Sequence, residues 1–109
     1  MNKPTHHALI VFVARGLADD VMDIARDSGA TGGTIIHARG CGHHDSHSFL
    51  SVPLDTERDI VLIVLPVELT SSIAHAIAEQ MQLDKPGNGF LFTLDIDQAT
   101  GITKPYKQD

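Results

Sequence analysis

The 109-residue sequence predicts a single α+β domain with the element order βαββαβ. Two observations lead to this prediction. Four apolar runs have the length of strands, and they alternate with two segments whose apolar residues recur at helical spacing. The second half of the chain also resembles the first, because the apolar run 8–14 matches the run 60–66 at an offset of 52 residues. Each half therefore contains a strand, a helix, a glycine-rich turn and a second strand.

The first half begins with a continuous apolar run at 8–14, which is rich in β-branched residues and typical of a buried strand. Segment 17–28 has the apolar spacing of a helix, and Asp19 and Asp20 are placed where acidic side chains favour a helix N-terminus. Gly29 is expected to end this helix.

The second strand is predicted at Thr34–Arg39, and the third at 59–66. Thr70 is expected to cap a second helix that extends to about residue 80. The fourth strand is predicted at 89–96, after a turn that contains two glycines.

Right-handed crossovers in both halves give a ferredoxin-like sheet with both helices on one face. The strands are apolar on both faces, so the other face would be an exposed apolar patch on a monomer. We therefore expect an oligomer that buries it. The whole chain, 1–109, is predicted to be one domain, with a core at about 8–97, a mobile loop at about 42–54 and a polar tail at 98–109.

Composition excludes several classes of function. The formal net charge of −6 argues against nucleic acid as a partner. The apolar runs are much shorter than the ~20 residues that span a membrane, so direct insertion is not expected. The first seven residues contain no apolar signal region, and the single Cys41 cannot form an internal disulfide. A reducing, cytoplasmic setting is the simplest interpretation.

Glycine-rich turns next to two of the strands are the most informative motifs. The relevant segments are Ala-Thr-Gly-Gly-Thr-Ile-Ile at 30–36, Arg-Gly-Cys-Gly at 39–42, Asp-Ile-Val-Leu-Ile-Val-Leu-Pro at 59–66 and Pro-Gly-Asn-Gly-Phe-Leu-Phe at 86–92. In this order and at this spacing they resemble the PII family of trimeric signalling proteins. The resemblance covers about residues 8–102.

The resemblance implies a ferredoxin-like homotrimer that binds adenine nucleotides in the clefts between subunits. The turn at 32–34 would contact the adenine, while the start of the loop and the turn at 87–89 would approach the phosphates. Exposed backbone N–H groups in glycine turns can line such an anion site. The nucleotide-binding residues implied in this way are Gly32, Gly33, Thr34, Gly40, Gly42, His43, His44, Gly87, Asn88 and Gly89.

Several departures from the family pattern bear on which nucleotide binds. Phe90 occupies the place of a lysine found in strong ATP binders, and His43 and His44 replace an arginine and a glutamine. Two further arginines of the family would fall near Gly101 and Thr103. Because polyphosphate requires compensating cations, AMP or ADP is expected to bind at least as well as ATP. Arg39 and Lys85 are the remaining cations nearby in the sequence.

An enzyme is not expected. The carboxylate pairs Asp19–Asp20 and Asp95–Asp97 come with no identifiable nucleophile or base, and no orienting partner can be identified for a pair of Cys41 with His43 or His44.

The resemblance also implies a regulatory role. The protein would sense its ligand and regulate a partner protein, with a membrane transporter as one candidate, through order–disorder switching of the loop. The loop lacks the tyrosine that is uridylylated in some relatives, since the single tyrosine of the chain is Tyr106. A passive trimeric assembly module is a further alternative.

A histidine-rich loop suggests another function. Four of the seven histidines lie between positions 37 and 47, together with Cys41 and Asp45. Imidazole and thiolate groups suit zinc, copper or nickel, so a divalent metal could be held by a set comprising Cys41, His43, His44 and His47. The alternative function is therefore metal binding or metal tolerance. The simplest interpretation is that the loop is solvated and binds no metal. His37 would then be a packed or subunit-contact residue, and His6 and His7 would be solvated.

Overall fold

A computed structural model describes residues 3–39, 48–49, 52–53 and 57–101. Its elements are β1 (His6–Ala14), α1 (Ala18–Asp27), β2 (Thr34–Arg39), β3 (Ser48–Phe49), β4 (Val52–Pro53), β5 (Glu57–Pro66), α2 (Val67–Gln80) and β6 (Phe90–Asp95). The four long strands form one antiparallel sheet in the order β2-β5-β1-β6, and β3 pairs separately with β4. The predicted ferredoxin-like arrangement is confirmed.

Two boundaries differ from the prediction at the junction of β5 and α2. Strand β5 begins at Glu57, and α2 follows it directly at Val67. Thr70 is not the cap; it lies inside the first turn of the helix and donates a hydrogen bond to the carbonyl of Pro66 at 3.3 Å. Pro66 accounts for the abrupt change, because its φ of −58° suits both the end of a strand and the entry to a helix.

The bounds of β1 and β6 also differ slightly from the predicted ones. Strand β1 begins at His6, and β6 is limited to Phe90–Asp95. The β3–β4 pair lies within the loop predicted at 42–54, while the rest of that loop and the tail from residue 102 lie outside the described residues. Gly29 follows α1 with a φ of +116°, as expected for a helix-terminating glycine.

The core lies between one face of the sheet and the two helices. Alternate residues of the two central strands are fully buried on this face, as the period of a strand requires. These are Leu9, Val11, Val13, Val61, Ile63 and Leu65, and the helices add Val21, Met22, Ala25, Ile73 and Ile77. Burial of each large aliphatic side chain contributes about 1.5–3 kcal/mol, so this layer supplies the main stabilisation of the fold.

The other face of the sheet is apolar but has no covering layer among the described residues. Ile36 is 42% exposed and Leu94 is 51% exposed, although both are large aliphatic residues within strands. Three aromatic side chains stack on this face, with ring centroids 4.5 Å apart for Phe12 and Phe90 and 6.0 Å apart for Phe90 and Phe92. An exposed apolar patch of this kind is typical of a surface that contacts another protein chain.

Gly33 and Gly89 are required by close packing. A Cβ atom on Gly89 would lie 2.1 Å from the carbonyl oxygen of Phe12, and the residue has a φ of +123°. A Cβ atom on Gly33 would lie 2.9 Å from Ile63 and 3.0 Å from the carbonyl oxygen of Leu62. Both glycines therefore hold their turns directly against the neighbouring strand.

We predict that Gly89→Ala destabilises the protein far more than Gly87→Ala. Both residues have positive φ, but a Cβ atom on Gly87 would meet nothing within 4 Å. Gly87→Ala should therefore cost only the backbone strain of about 1–2 kcal/mol, whereas Gly89→Ala adds a clash with backbone that cannot move aside. Chemical denaturation measures both free energies of unfolding, and equal losses would contradict the close approach.

Candidate functional site

Six of the ten predicted nucleotide-binding residues lie in the described part of the chain. They form the turn at 32–34, which leads into β2, and the turn at 87–89, which leads into β6. The other four, Gly40, Gly42, His43 and His44, lie outside the described residues.

The two turns stand on opposite edges of the sheet, because β2 and β6 are its outer strands. The central strands β5 and β1 separate them, and three inter-strand spacings amount to ~14 Å. One chain therefore does not bring the two turns together. A site that uses both of them needs the β2 edge of one subunit beside the β6 edge of another.

A charged cleft lies at the end of the sheet where β2 ends and β5 begins. Glu57, on the first position of β5, accepts hydrogen bonds from Arg39 at 3.1 Å and from Arg15. The cleft has a volume of about 260 Å³ and is lined by Arg15, His37, Ala38, Arg39, Glu57 and Arg58. Three of the four arginines in the chain line this cleft, although the net charge is −6. This end of the sheet is therefore suited to an anionic group.

Sequence reasoning identified only part of this cleft. Arg39 was expected to be a nearby cation, but Arg15 and Arg58 were missed because their proximity depends on strand register, which pairs Ala14 with Arg58 and Arg39 with Glu57. Lys85 lines a different, shallow cleft beside α2.

Asp59 is a buried carboxylate next to this cleft, with a residue exposure of 2%. Its Oδ2 accepts hydrogen bonds from the backbone N–H groups of Gly16 at 2.9 Å and Ala18 at 3.3 Å, at the start of α1. The Nδ1 of His37, on β2, lies 2.7 Å from its Oδ1. Asp59 thus joins β5 to both α1 and β2. It also orients His37, whose side chain is 77% exposed and was expected to be packed or at a subunit contact.

The ionisation of Asp59 reflects two opposing effects. Burial by itself raises the pKa of the carboxyl. Hydrogen bonds from His37 and from the N–H groups of Gly16 and Ala18, together with the charge of a protonated His37, outweigh burial and hold the pKa below its ordinary value of 3.8. The folded state therefore favours the carboxylate form.

We predict that Asp59→Asn lowers the free energy of unfolding at pH 7 by about 1.5–3 kcal/mol, the range for hydrogen bonds to a charged group. Because the folded pKa lies below the unfolded value of 3.8, the contribution of Asp59 is complete above about pH 5 and is lost as pH falls through the folded value. The stability gap between wild type and variant should therefore narrow in acid. Denaturation at several pH values measures this gap, with the exposed Asp19→Asn as control; a gap that widens in acid would be inconsistent with the assignment.

The predicted metal ligands lie outside the described residues; they are Cys41, His43, His44 and His47. Within the ranges that the structure describes, no three histidine, cysteine or carboxylate side chains are grouped so that they could hold a metal ion. Neither described helix is long and apolar enough to cross a membrane.

The sheet order, the helices on one face and the glycine turns on the two edges define a ferredoxin-like α+β protein with a divided candidate site. A model of the family described as "Nitrogen regulatory protein P-II" matches residues 7–105. The nitrogen regulatory protein P-II of Haemophilus influenzae is 32% identical over 89 residues, which cover 77% of this chain and 80% of that protein. The chain therefore belongs to the nitrogen regulatory protein P-II family, whose members are regulatory signal transducers.

Solved structures share the fold. CPII from Thiomonas intermedia K12, bound to ADP, AMP and acetate, has a TM-score of 0.63 and 19% identity, with 88% of this chain and 90% of that chain covered. PII from Arabidopsis thaliana, bound to citrate, has a TM-score of 0.64 and 20% identity, with 85% and 78% covered. The predicted family and fold are both confirmed.

Proposed function

We propose that this chain forms a cytoplasmic homotrimer that binds AMP or ADP between subunits and regulates a partner protein, with a membrane transporter as a candidate. The observation that carries this proposal is the position of the two glycine turns on opposite edges of the sheet. Neighbouring subunits that meet edge to edge complete the site. Such a contact joins two different surfaces, so its repetition can close into a ring.

The apolar sheet face supports the proposed ring. The side chains of Ile36, Val64 and Leu94 are 37–51% exposed in one chain, and the aromatic stack of Phe12, Phe90 and Phe92 lies on the same face. Closing three subunits around this face would remove it from water, and the burial of apolar area favours association.

The arginine cleft supports an anionic ligand. Arg15, Arg39 and Arg58 lie at the same end of the sheet as the turn at 87–89, because Gly89 approaches β1 at Phe12 and β1 ends near Arg58. Guanidinium groups suit phosphate and carboxylate groups. The ligands in the two related structures, ADP, AMP, acetate and citrate, carry these groups.

Phe90 supports a preference for fewer phosphates. Its ring lies nearly parallel to that of Phe12, with an interplanar angle of 11°, so the position after the turn supplies an aromatic stack instead of a cation. The arginines and the backbone N–H groups of the turns then neutralise the ligand, which suits one or two phosphates better than three.

The route from ligand to partner passes through the segment between β2 and β5. Arg39 is the last residue of β2 and Glu57 is the first residue of β5. Their ion pair joins the two residues that flank the segment 40–56. A ligand anion that attracts Arg39 or Arg15 competes with Glu57. Occupancy of the cleft would thereby weaken this ion pair and alter the segment 40–56. That segment would convey the change to the partner protein.

We expect calorimetric titration to show AMP or ADP binding at least as tightly as ATP. Asn88→Lys supplies a cation in the turn at 87–89 without placing a charge on the apolar sheet face, so it should strengthen ATP binding relative to AMP binding. Asn88→Gln is the matched control, because it also loses the hydrogen bond from Asn88 to the carbonyl of Gln82 but adds no charge, and it should leave the ranking unchanged. If none of the three nucleotides binds, the proposed site is refuted. If the wild type binds ATP most tightly, the ranking is refuted.

We expect light scattering at micromolar concentration to give three times the monomer mass of 11.8 kDa. Leu94→Glu should dissociate the assembly, because it places a charge on the apolar sheet face. Ser72→Glu, on the exposed surface of α2, is the control and should not change the mass. A monodisperse wild type at the monomer mass would overturn the proposed ring.

A further inference from the structure

The ring of His37 is anchored on a buried group and is exposed at the same time. Its Nδ1 lies 2.7 Å from Oδ1 of the buried Asp59, while 77% of its side chain is exposed. His75 is equally exposed, at 79%, but its partner is the exposed Glu79 at 3.8 Å. The expectation that His7 is solvated is wrong, since both of its ring nitrogens contact other side chains. His37 therefore combines accessibility with a fixed orientation.

The contact with Asp59 determines which nitrogen of His37 carries a proton. A carboxylate only accepts hydrogen bonds, and the folded state favours the carboxylate form of Asp59, whose pKa is lowered. Nδ1 therefore donates to Asp59, and in the neutral ring the lone pair lies on Nε2. Within the part of the chain that the structure describes, Nε2 has no hydrogen bond or ion pair of its own. A free lone pair thus points away from the buried carboxylate.

Asp59 is itself held in place. Its Oδ2 accepts hydrogen bonds from the backbone N–H groups of Gly16 at 2.9 Å and Ala18 at 3.3 Å. An exposed side chain ordinarily loses rotamer freedom when it is used, but the ring of His37 is already fixed through Asp59. Such preorganisation favours a reaction at Nε2.

Cations lie beside this ring. His37 lines the arginine cleft of about 260 Å³ together with Arg15, Arg39 and Arg58. Arg39 follows His37 by two residues in β2 and therefore projects from the same face of the sheet. Glu57 accepts hydrogen bonds from both Arg15 and Arg39, so two guanidinium groups share one carboxylate. Guanidinium groups suit phosphoryl oxygens in charge and in shape.

We propose that His37 is a phosphorylation site. Its Nε2 accepts a phosphoryl group from a donor with a phosphorus–nitrogen bond, while Arg15 and Arg39 bind the phosphoryl oxygens. Histidine is one of the side chains that form covalent intermediates as nucleophiles. This inference goes beyond the proposed function, because it uses the arginine cleft but requires neither a nucleotide nor a trimer.

The transfer balances without a further reactant. The Nε2 lone pair forms a bond to phosphorus, and the bond between phosphorus and the donor nitrogen breaks. With phosphoramidate as donor, the protonated amino group takes the electron pair of that bond and leaves as ammonia. The Nδ1 proton of His37 stays in its hydrogen bond to Asp59. The ring becomes positively charged, and the carboxylate of Asp59 stabilises that charge.

The test incubates the untagged, full-length protein with potassium phosphoramidate at about pH 8, where an ordinary histidine, with a pKa of ~6.5, is neutral. Tandem mass spectrometry locates the added phosphoryl group and follows its rate of appearance. We expect His37 to react roughly tenfold faster than His75 or more, the factor that one charge-assisted hydrogen bond supplies. Phosphorus-31 NMR should show the phosphoryl group on Nε2.

Two variants separate the anchor from the cations. Asp59→Asn removes the charge that stabilises the phosphorylated ring, so the rate at His37 should fall toward that at His75 in the same variant. Arg39→Gln removes one guanidinium group from the cleft and should also slow the reaction at His37. Arg26→Gln is the matched control, because Arg26 pairs with Asp23 on α1 outside the cleft, and it should leave the rate unchanged.

Three results would overturn the proposed site. The first is a rate at His37 no greater than that at His75 in the wild type. The second is a phosphoryl group on Nδ1 of His37, which would contradict the anchoring by Asp59. The third is a rate at His37 that Arg39→Gln leaves unchanged.

Discussion

The antiparallel register between β1 and β5 is the constraint on which the rest of the structure depends. It pairs His6 with Pro66 and Ala14 with Arg58, with seven further pairs between them. This register directs Leu9, Val11 and Val13 toward the helices together with Val61, Ile63 and Leu65. A slip of one residue would turn the apolar set to the other face. It would also move Asp59 away from the start of α1. The core and both polar ends of the sheet therefore follow from one alignment of two strands.

The same alignment places the two glycine turns of the candidate ligand site on opposite edges of the sheet. Because β1 and β5 occupy the centre, β2 and β6 become the edges, and each edge carries one glycine turn. Gly33 and Gly89 pack so closely against the sheet that neither turn can move toward the other. In the proposed trimer, ligand binding would therefore be linked to assembly, since a ligand that contacts both turns would do so where two subunits meet.

Two histidine–carboxylate contacts secure the sheet at opposite ends, and they differ in which partner is buried. At the arginine cleft the carboxylate of Asp59 is buried and the ring of His37 is largely exposed. Beside α2 the ring of His7 is half-buried, and the carboxylate of Asp95 is 73% exposed. Hydrogen bonds from His37 and from backbone N–H groups hold the pKa of Asp59 below its ordinary value in spite of burial, so the folded state favours its carboxylate form. His7 instead contacts a hydroxyl, that of Thr70, whose own hydrogen goes to the carbonyl of Pro66.

The sequence by itself determined the order of the four long strands and the two helices, the apolar helix faces and the positions of the glycine turns, but it did not indicate the short β3–β4 pair. These features repeat at the local periods of helices and strands, or depend on the backbone freedom of glycine. The direct passage from β5 into α2 was not apparent, because Thr70 resembles a cap and Pro66 permits an earlier start. Tertiary structure alone decided that Arg15, Arg39 and Arg58 share one cleft, that Asp59 anchors α1, and that His7 reaches Asp95 and Thr70. Those contacts join residues that are 19 to 88 positions apart in the chain. Their proximity depends on strand register and helix placement, which no local pattern specifies.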